Sequence, residues 1–205
     1  MIQKTLFFDI GNVQLFFDHK KMCRAVAQLF GLNSQRVEEL FFKEKLLDDW
    51  EVGKIHYRSL YHIFSSQSNT QASLSSFFHA LSDIFTPNTS LFPLLKTLKK
   101  ENAHLILISN IGDAHFDFIC SRFPIFSLFD DKLLSFEIKM RKPNPLIYKI
   151  ALKKARGPSL YIDDILEFVQ AAQKCGLDSV QFQNNQLLKK QLIAKGFINE
   201  IQKTP

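Results

Sequence analysis

Asp9 follows the apolar run Thr5 to Phe8, inside the string Phe8-Asp9-Ile10-Gly11-Asn12-Val13, so a carboxylate stands at the end of what reads as a buried strand. Gly11 beside it allows the backbone to turn. Ser109 and Asn110 close a second run, His104 to Ile108, where a hydroxyl and backbone N–H groups can hold a phosphoryl oxygen. Lys142 lies in Arg141-Lys142-Pro143, directly before Asn144-Pro145, a good helix start, and a lysine on such a loop can aim a point charge at a phosphate. Asp163 and Asp164 close a third run, Leu160 to Ile162. Adjacent carboxylates at a strand end repel unless a cation neutralises them, and oxygen ligands that leave room for water and phosphate suit magnesium. Each pattern alone has a plainer reading: turn chemistry for Asp9 and for Ser109-Asn110, a solvated lysine, acids at a helix N-terminus.

These residues converge only if the elements behind them do. Apolar runs at Thr5 to Phe8, His104 to Ile108, Leu160 to Ile162 and Ser179 to Phe182 alternate with helically spaced segments, which predicts a parallel sheet covered by helices. Ligands of open α/β sheets bind beyond the carboxyl ends of the strands, where three of these polar clusters fall. Between Asp18 and about Thr86 the strand signal vanishes; Asp18 reads as an N-cap, Gly31 as a stop, and Asn33 or Ser34 as a new cap. This block is expected to be a helical cap, with the polar stretch Ser65 to Ser76 as a connection inside it. The core is expected to resume near Leu91 with a helix ending at Lys99 and Lys100, while Gly176 and Gly196 read as later helix stops.

A chain of 205 residues with 46% hydrophobic content suits one core plus an inserted subdomain. Its three cysteines are scattered, which argues against a disulfide framework or a zinc site. No apolar stretch is long enough to span a bilayer, and the opening residues lack the marks of an export signal, so a cytoplasmic location is expected. The net charge of +6 lies mostly in residues 132–205, on lysines that look like solvated helix faces without an aromatic stacking pattern. Neither nucleic acid nor membrane is expected as a partner.

In order along the chain, F-D-I-G-N-V, L-I-L-I-S-N, R-K-P-N-P-L-I-Y and Y-I-D-D followed by A-A-Q-K-C-G-L resemble the four motifs of the haloacid dehalogenase (HAD) superfamily of aspartyl-nucleophile hydrolases. The opening motif, the R-K-P segment and Trp50-Glu51-Val52-Gly53-Lys54-Ile55 look most like the branch containing α-glucose-1-phosphate phosphatase. The resemblance implies a doubly wound, mainly parallel α/β sheet with a Rossmann-like core formed by residues 1–17 and 87–205, and a helical cap over 18–86. It makes Asp9 the nucleophile, Ser109, Asn110 and Lys142 the phosphoryl clamp, and Asp9, the Gly11 carbonyl, Asp163 and especially Asp164 the magnesium ligands, acting on a small phosphorylated substrate.

The chain departs from the pattern in three places. Gly11 stands where phosphatases of the superfamily usually carry a second Asp as general acid and base, Phe168 stands where an Asn often follows the paired aspartates, and Lys139 stands where a Gly often precedes the motif lysine. Two main readings therefore stay open: turnover through Asp9, favouring leaving groups that depart readily as anions, or a degenerate member that binds a phosphorylated ligand or a protein partner without turnover. A dehalogenase is a third, disfavoured by the aspartate pair.

Overall fold

The computed structural model describes residues 3–68 and 70–199. Residues 1–2 and 200–205, at the ends of the expected core segments, and Asn69, in the polar stretch Ser65 to Ser76, lie outside the described residues. Strand β1 (Thr5–Phe8) is followed by β2 (Leu15–Phe17). Helices α1 (His19–Phe30), α2 (Ser34–Glu38), α3 (Leu46–Glu51), α4 (Tyr57–Ser65) and α5 (Leu74–Ser82) come next, with a π-helical turn over Glu39–Lys43. After β3 (Phe85–Pro87), the chain runs through α6 (Phe92–Lys100), β4 (His104–Ser109), α7 (Asp113–Arg122), β5 (Asp131–Leu134) and α8 (Ser135–Ile138). It continues with α9 (Pro145–Lys154), β6 (Ser159–Asp163), α10 (Leu166–Lys174), β7 (Ser179–Gln181) and α11 (Asn185–Ala194).

The main sheet has the order β5-β4-β1-β6-β7, with every pairing parallel. From β1 the chain winds to β4 and β5 on one side and then to β6 and β7 on the other. The polar residues that end β1, β4 and β6 therefore stand side by side at this reversal. Side chains alternate between two buried faces: Leu6, Phe8, Leu105, Leu107 and Ile162 enter one cluster, and Phe7, Ile106, Ile108 and Tyr161 the other. Burial on both faces explains why these strands read as continuous apolar runs.

The helices from α1 to α5 gather a separate apolar cluster that includes Met22, Phe30, Phe41, Trp50, Phe64 and Phe77. Local signals set their ends. Asp18 accepts a hydrogen bond from Lys21 N at 3.0 Å, Gly31 takes a left-handed φ of 64°, and Asn33 caps α2 at Gln35 N. Downstream, Asn144 caps α9 at Leu146 N, 3.0 Å away.

Two strand readings need correction. The block 18–86, read as free of strand, ends in β3, which pairs antiparallel with β2 through Phe17–Phe85 and Leu15–Pro87. A ribbon this short, ending in proline, carries too few residues for an alternating pattern. Edge strand β5 was not predicted either; it opens with Asp131 and Lys132, and burial begins only at Leu133.

Gly112, just before α7, is where the helical block meets the sheet. A Cβ built there would lie 2.2 Å from Trp50 Cε2, so the absence of a side chain is what lets the indole lie against the start of α7. We predict that Gly112→Ala lowers stability by about 1–3 kcal/mol through overpacking, measured as a fall in the urea midpoint with an unchanged denaturant slope.

Candidate functional site

Lys142 sits at the centre of the site. Its side chain is buried, and Nζ donates to Asp163 Oδ2 at 2.6 Å and to Ile108 O at 3.2 Å, with Asp9 Oδ1 2.9 Å away as an ion-pair partner. The loop that delivers it is pinned by Asn110, which accepts from Lys142 N at 2.8 Å and donates through Nδ2 to Lys142 O at 3.1 Å. Asn110 thus copies one rung of a β-ladder with its side chain.

Asp9 is held by strand pairing, its N–H donating to Ile162 O at 2.9 Å, while Oδ1 accepts from Ile10 N at 2.7 Å. Asp163, the last residue of β6, is fully buried and also accepts from the Tyr161 hydroxyl and from Ile165 N. Asp164 points elsewhere, accepting from Asn12 Nδ2 at 3.1 Å. Carboxylate oxygens of Asp9, Asp163 and Asp164 fall within 4.8 Å of one another.

Three carboxylates share one ammonium here, and burial makes that imbalance expensive. Burial pushes the Asp9 carboxyl up, Lys142 pulls it down, and Asp163 pushes it up again. Partial burial raises Asp164, with the Asn12 hydrogen bond opposing and Asp163 adding to the rise. For Lys142 burial favours the neutral amine, but the attraction of Asp9 and Asp163 outweighs it and holds the group above its ordinary value. An all-oxygen cluster with excess negative charge fits a hard divalent cation such as magnesium.

A cavity of about 170 Å³ opens over these residues, lined by Asp9, Gly11, Ser109, Asn110, Lys142 and Asp164, so it gathers the expected site residues apart from Asp163, which lies beneath it. The departures from the motif pattern occupy definite positions. Phe168 lines the cavity with its ring 5.1 Å from Lys142 Nζ, placing a cation–π contact at a position where a side-chain amide is often found. Lys139 takes a left-handed φ of 57° and reaches Gly53 O at 2.6 Å. Gly11 does not have positive φ; a Cβ there would meet Phe17 Cε1 at 2.9 Å.

Glu51 and Arg141, to which the sequence motifs give no role, also line the cavity. Glu51 ends α3 with only 8% exposure. Its Oε2 is 2.8 Å from Arg141 Nη2 but not aligned for a hydrogen bond, and among the described residues Oε2 has no hydrogen-bond partner. Arg141 also pairs with Asp48, one turn earlier. The α3 end is fixed from several sides. Trp50 Nε1 donates to Asp113 Oδ1 at 2.6 Å, and Ser135 Oγ donates to Glu51 O while accepting from Ile111 N at 2.9 Å.

Comparison with solved structures places this architecture. A HAD family enzyme from Bacteroides thetaiotaomicron, solved with magnesium and inorganic phosphate, superposes with a TM-score of 0.75 at 24% identity, over 89% of this chain and 96% of that one. The chain has the HAD fold. A predicted HAD-like family hydrolase from Porphyromonas gingivalis gives 0.75 at 19% identity over 94% and 98% of the two chains. A HAD phosphatase from Thermococcus onnurineus gives 0.61 at 18% over 89% and 87%. No protein-family model matches the sequence, and no curated protein does. Among the described residues, no helix of this HAD fold is long and apolar enough to cross a membrane.

Burial, opposed by Arg141 and reinforced by Asp48, lifts the Glu51 carboxyl from 4.5 to about 7. The folded protein therefore keeps a proton that the unfolded chain releases, so stability from this group is full below its unfolded value of 4.5 and is lost as pH rises through about 7. We predict that Glu51→Gln removes this loss. Between pH 4.5 and 7, wild type should fall relative to the variant by up to about 3 kcal/mol, read from urea unfolding at each pH.

Proposed function

We propose that this chain is a magnesium-dependent phosphatase that hydrolyses a small phosphorylated metabolite, with sugar phosphates among the candidates, through an aspartyl-phosphate on Asp9. The observation that carries this reading is Lys142 Nζ held between Asp9 and Asp163 at the carboxyl ends of adjacent parallel strands, under a cavity that also reaches Ser109. The magnesium and inorganic phosphate bound by the Bacteroides enzyme of the same fold support it.

Asp9 attacks phosphorus as the bond to the leaving oxygen breaks. The Ser109 hydroxyl and the backbone around Asn110 hold phosphoryl oxygens, and Lys142 offsets charge on them while keeping Asp9 aimed. Water then attacks phosphorus and the bond to Asp9 breaks, releasing phosphate and restoring the carboxylate. Asp9, Asp163, Asp164 and the Gly11 carbonyl would hold magnesium, which would supply positive charge to offset that of the phosphoryl group. A cytoplasmic small-molecule role, without nucleic acid or membrane, is part of the same proposal.

A degenerate binding protein is the second reading, favoured by the Phe17 ring beside Gly11 and by Phe168 in the cavity. A dehalogenase fits less well, since its attack on carbon needs no cation and would leave the carboxylate cluster unneutralised.

Turnover of p-nitrophenyl phosphate with magnesium separates these readings. We predict activity that EDTA abolishes and that Asp9→Asn eliminates in folded protein; phosphate binding without turnover would favour the degenerate reading. Lys142→Ala should lower kcat by about 10²- to 10³-fold. It should also cost roughly 3–5 kcal/mol of stability in EDTA, because Asp9 and Asp163 lose their buried partner.

A further inference from the structure

We propose that Glu51, carried by the helical block and not by the nucleophile loop, is the proton donor to the leaving group. The inference rests on the phosphatase reading and adds the group that reading lacks. Position 11 cannot supply an acid, because it is glycine and the direction of a side chain there runs into the Phe17 ring. Asp9 and Asp163 are both bound to Lys142, and Asp164 to Asn12. Glu51 is the remaining carboxyl that lines the cavity, and its Oε2 has no aligned hydrogen bond among the described residues.

Its placement suits the task. Asp113 through Trp50, and Ser135 through the Glu51 carbonyl, fix the end of α3, so the carboxyl is presented from a rigid element. Arg141 and Lys142 face it from the core loop and Asp48 from its own helix, while His19 and His115 line the adjoining recess with it. Burial holds both histidines below their ordinary value, so they are neutral at pH 7 and serve poorly as acids. Glu51 keeps its proton up to about pH 7, and Arg141 at 2.8 Å can stabilise the carboxylate left after donation.

In the first step the Asp9 oxygen bonds phosphorus, the phosphorus–ester oxygen bond breaks, and the Glu51 proton goes to that oxygen, releasing an alcohol. In the second, the Glu51 carboxylate takes a proton from water as the water oxygen bonds phosphorus and the Asp9–phosphorus bond breaks. Ester and water become alcohol and phosphate, and both carboxyl groups return to their starting state.

The test is kcat/KM with magnesium across aryl and alkyl phosphates of graded leaving-group acidity, for wild type and Glu51→Gln, with thermal unfolding as the folding control. Wild type should show a shallow dependence on leaving-group acidity. Glu51→Gln should lose about 10²- to 10⁴-fold on alkyl phosphates and less than about tenfold on p-nitrophenyl phosphate, making the dependence steep. For one alkyl phosphate, the ratio of wild-type to variant rates should fall as pH rises through about 7. A uniform loss across the series, or a steep dependence already present in wild type, overturns the assignment; the wild-type series decides even where the variant is unstable. If p-nitrophenyl phosphate turnover depends on Asp9 yet either of these results appears, only the role of Glu51 falls. No turnover by wild type at all, or turnover that survives Asp9→Asn, overturns both readings.

Discussion

The arrangement depends on one buried ammonium. Lys142 sits between Asp9 and Asp163, and two carboxyl groups side by side at that depth are costly to bury without a cation between them. The requirement reaches back into the topology. Asp9 and Asp163 come from β1 and β6, which pair in register, while Ile108 of β4 offers the third acceptor. A single charge therefore needs three adjacent strand ends, and the order β4-β1-β6 supplies them. Asn110 completes the arrangement by fastening the Lys142 backbone to the end of β4. The ammonium still falls short of neutralising Asp9, Asp163 and Asp164 together, which makes the site a place for a further cation.

The position of the helical block over this centre is set by a short stretch of chain. Residues 48–53 touch the core through Asp48 and Glu51 on Arg141, Trp50 on Asp113, the Glu51 carbonyl on Ser135 and the Gly53 carbonyl on Lys139. These contacts differ in weight. The Asp48–Arg141 pair is half-exposed and worth little, whereas Trp50 is fully buried, and its N–H would go unpaired without Asp113. Gly112 allows that close approach. Arg141 and Lys142 are neighbours in sequence, so one loop contacts the helical block with the first and the nucleophile with the second.

What could be read from sequence follows from the range of each interaction. Strand ends at Asp9, Ser109 and Asp163 were legible because buried parallel strands leave unbroken apolar runs and stop at a polar residue. Caps at Asp18, Asn33 and Asn144 were legible because a cap acts within a few residues. β5 was not, since half of it is exposed at an edge, and the β2–β3 ribbon was not, since its partners lie about 70 residues apart in the numbering of the pair Leu15–Pro87. The site residues were legible as types in order. Asn110 was read for its backbone N–H, and its side-chain clasp on Lys142 needed the fold to appear. Glu51 left no signal of its own, because a glutamate ending an amphipathic helix reads as solvated until burial is known.

Phe17 links the last two features. Its ring occupies the space next to Gly11, and it belongs to β2, whose pairing with β3 brackets the helical block at both ends. The ring that fills the space beside Gly11 is thus part of the ribbon at the base of the block that carries Glu51. With the donor on α3, as proposed, proton transfer requires the block to be seated, so Trp50, Asp113 and Ser135 bear on chemistry as well as on stability. A donor in the nucleophile loop would be present whether or not the block closed over the site. Placing it on the block ties protonation of the leaving group to the contacts that hold the end of α3 against the core, because a donor contributes only while it is held in position.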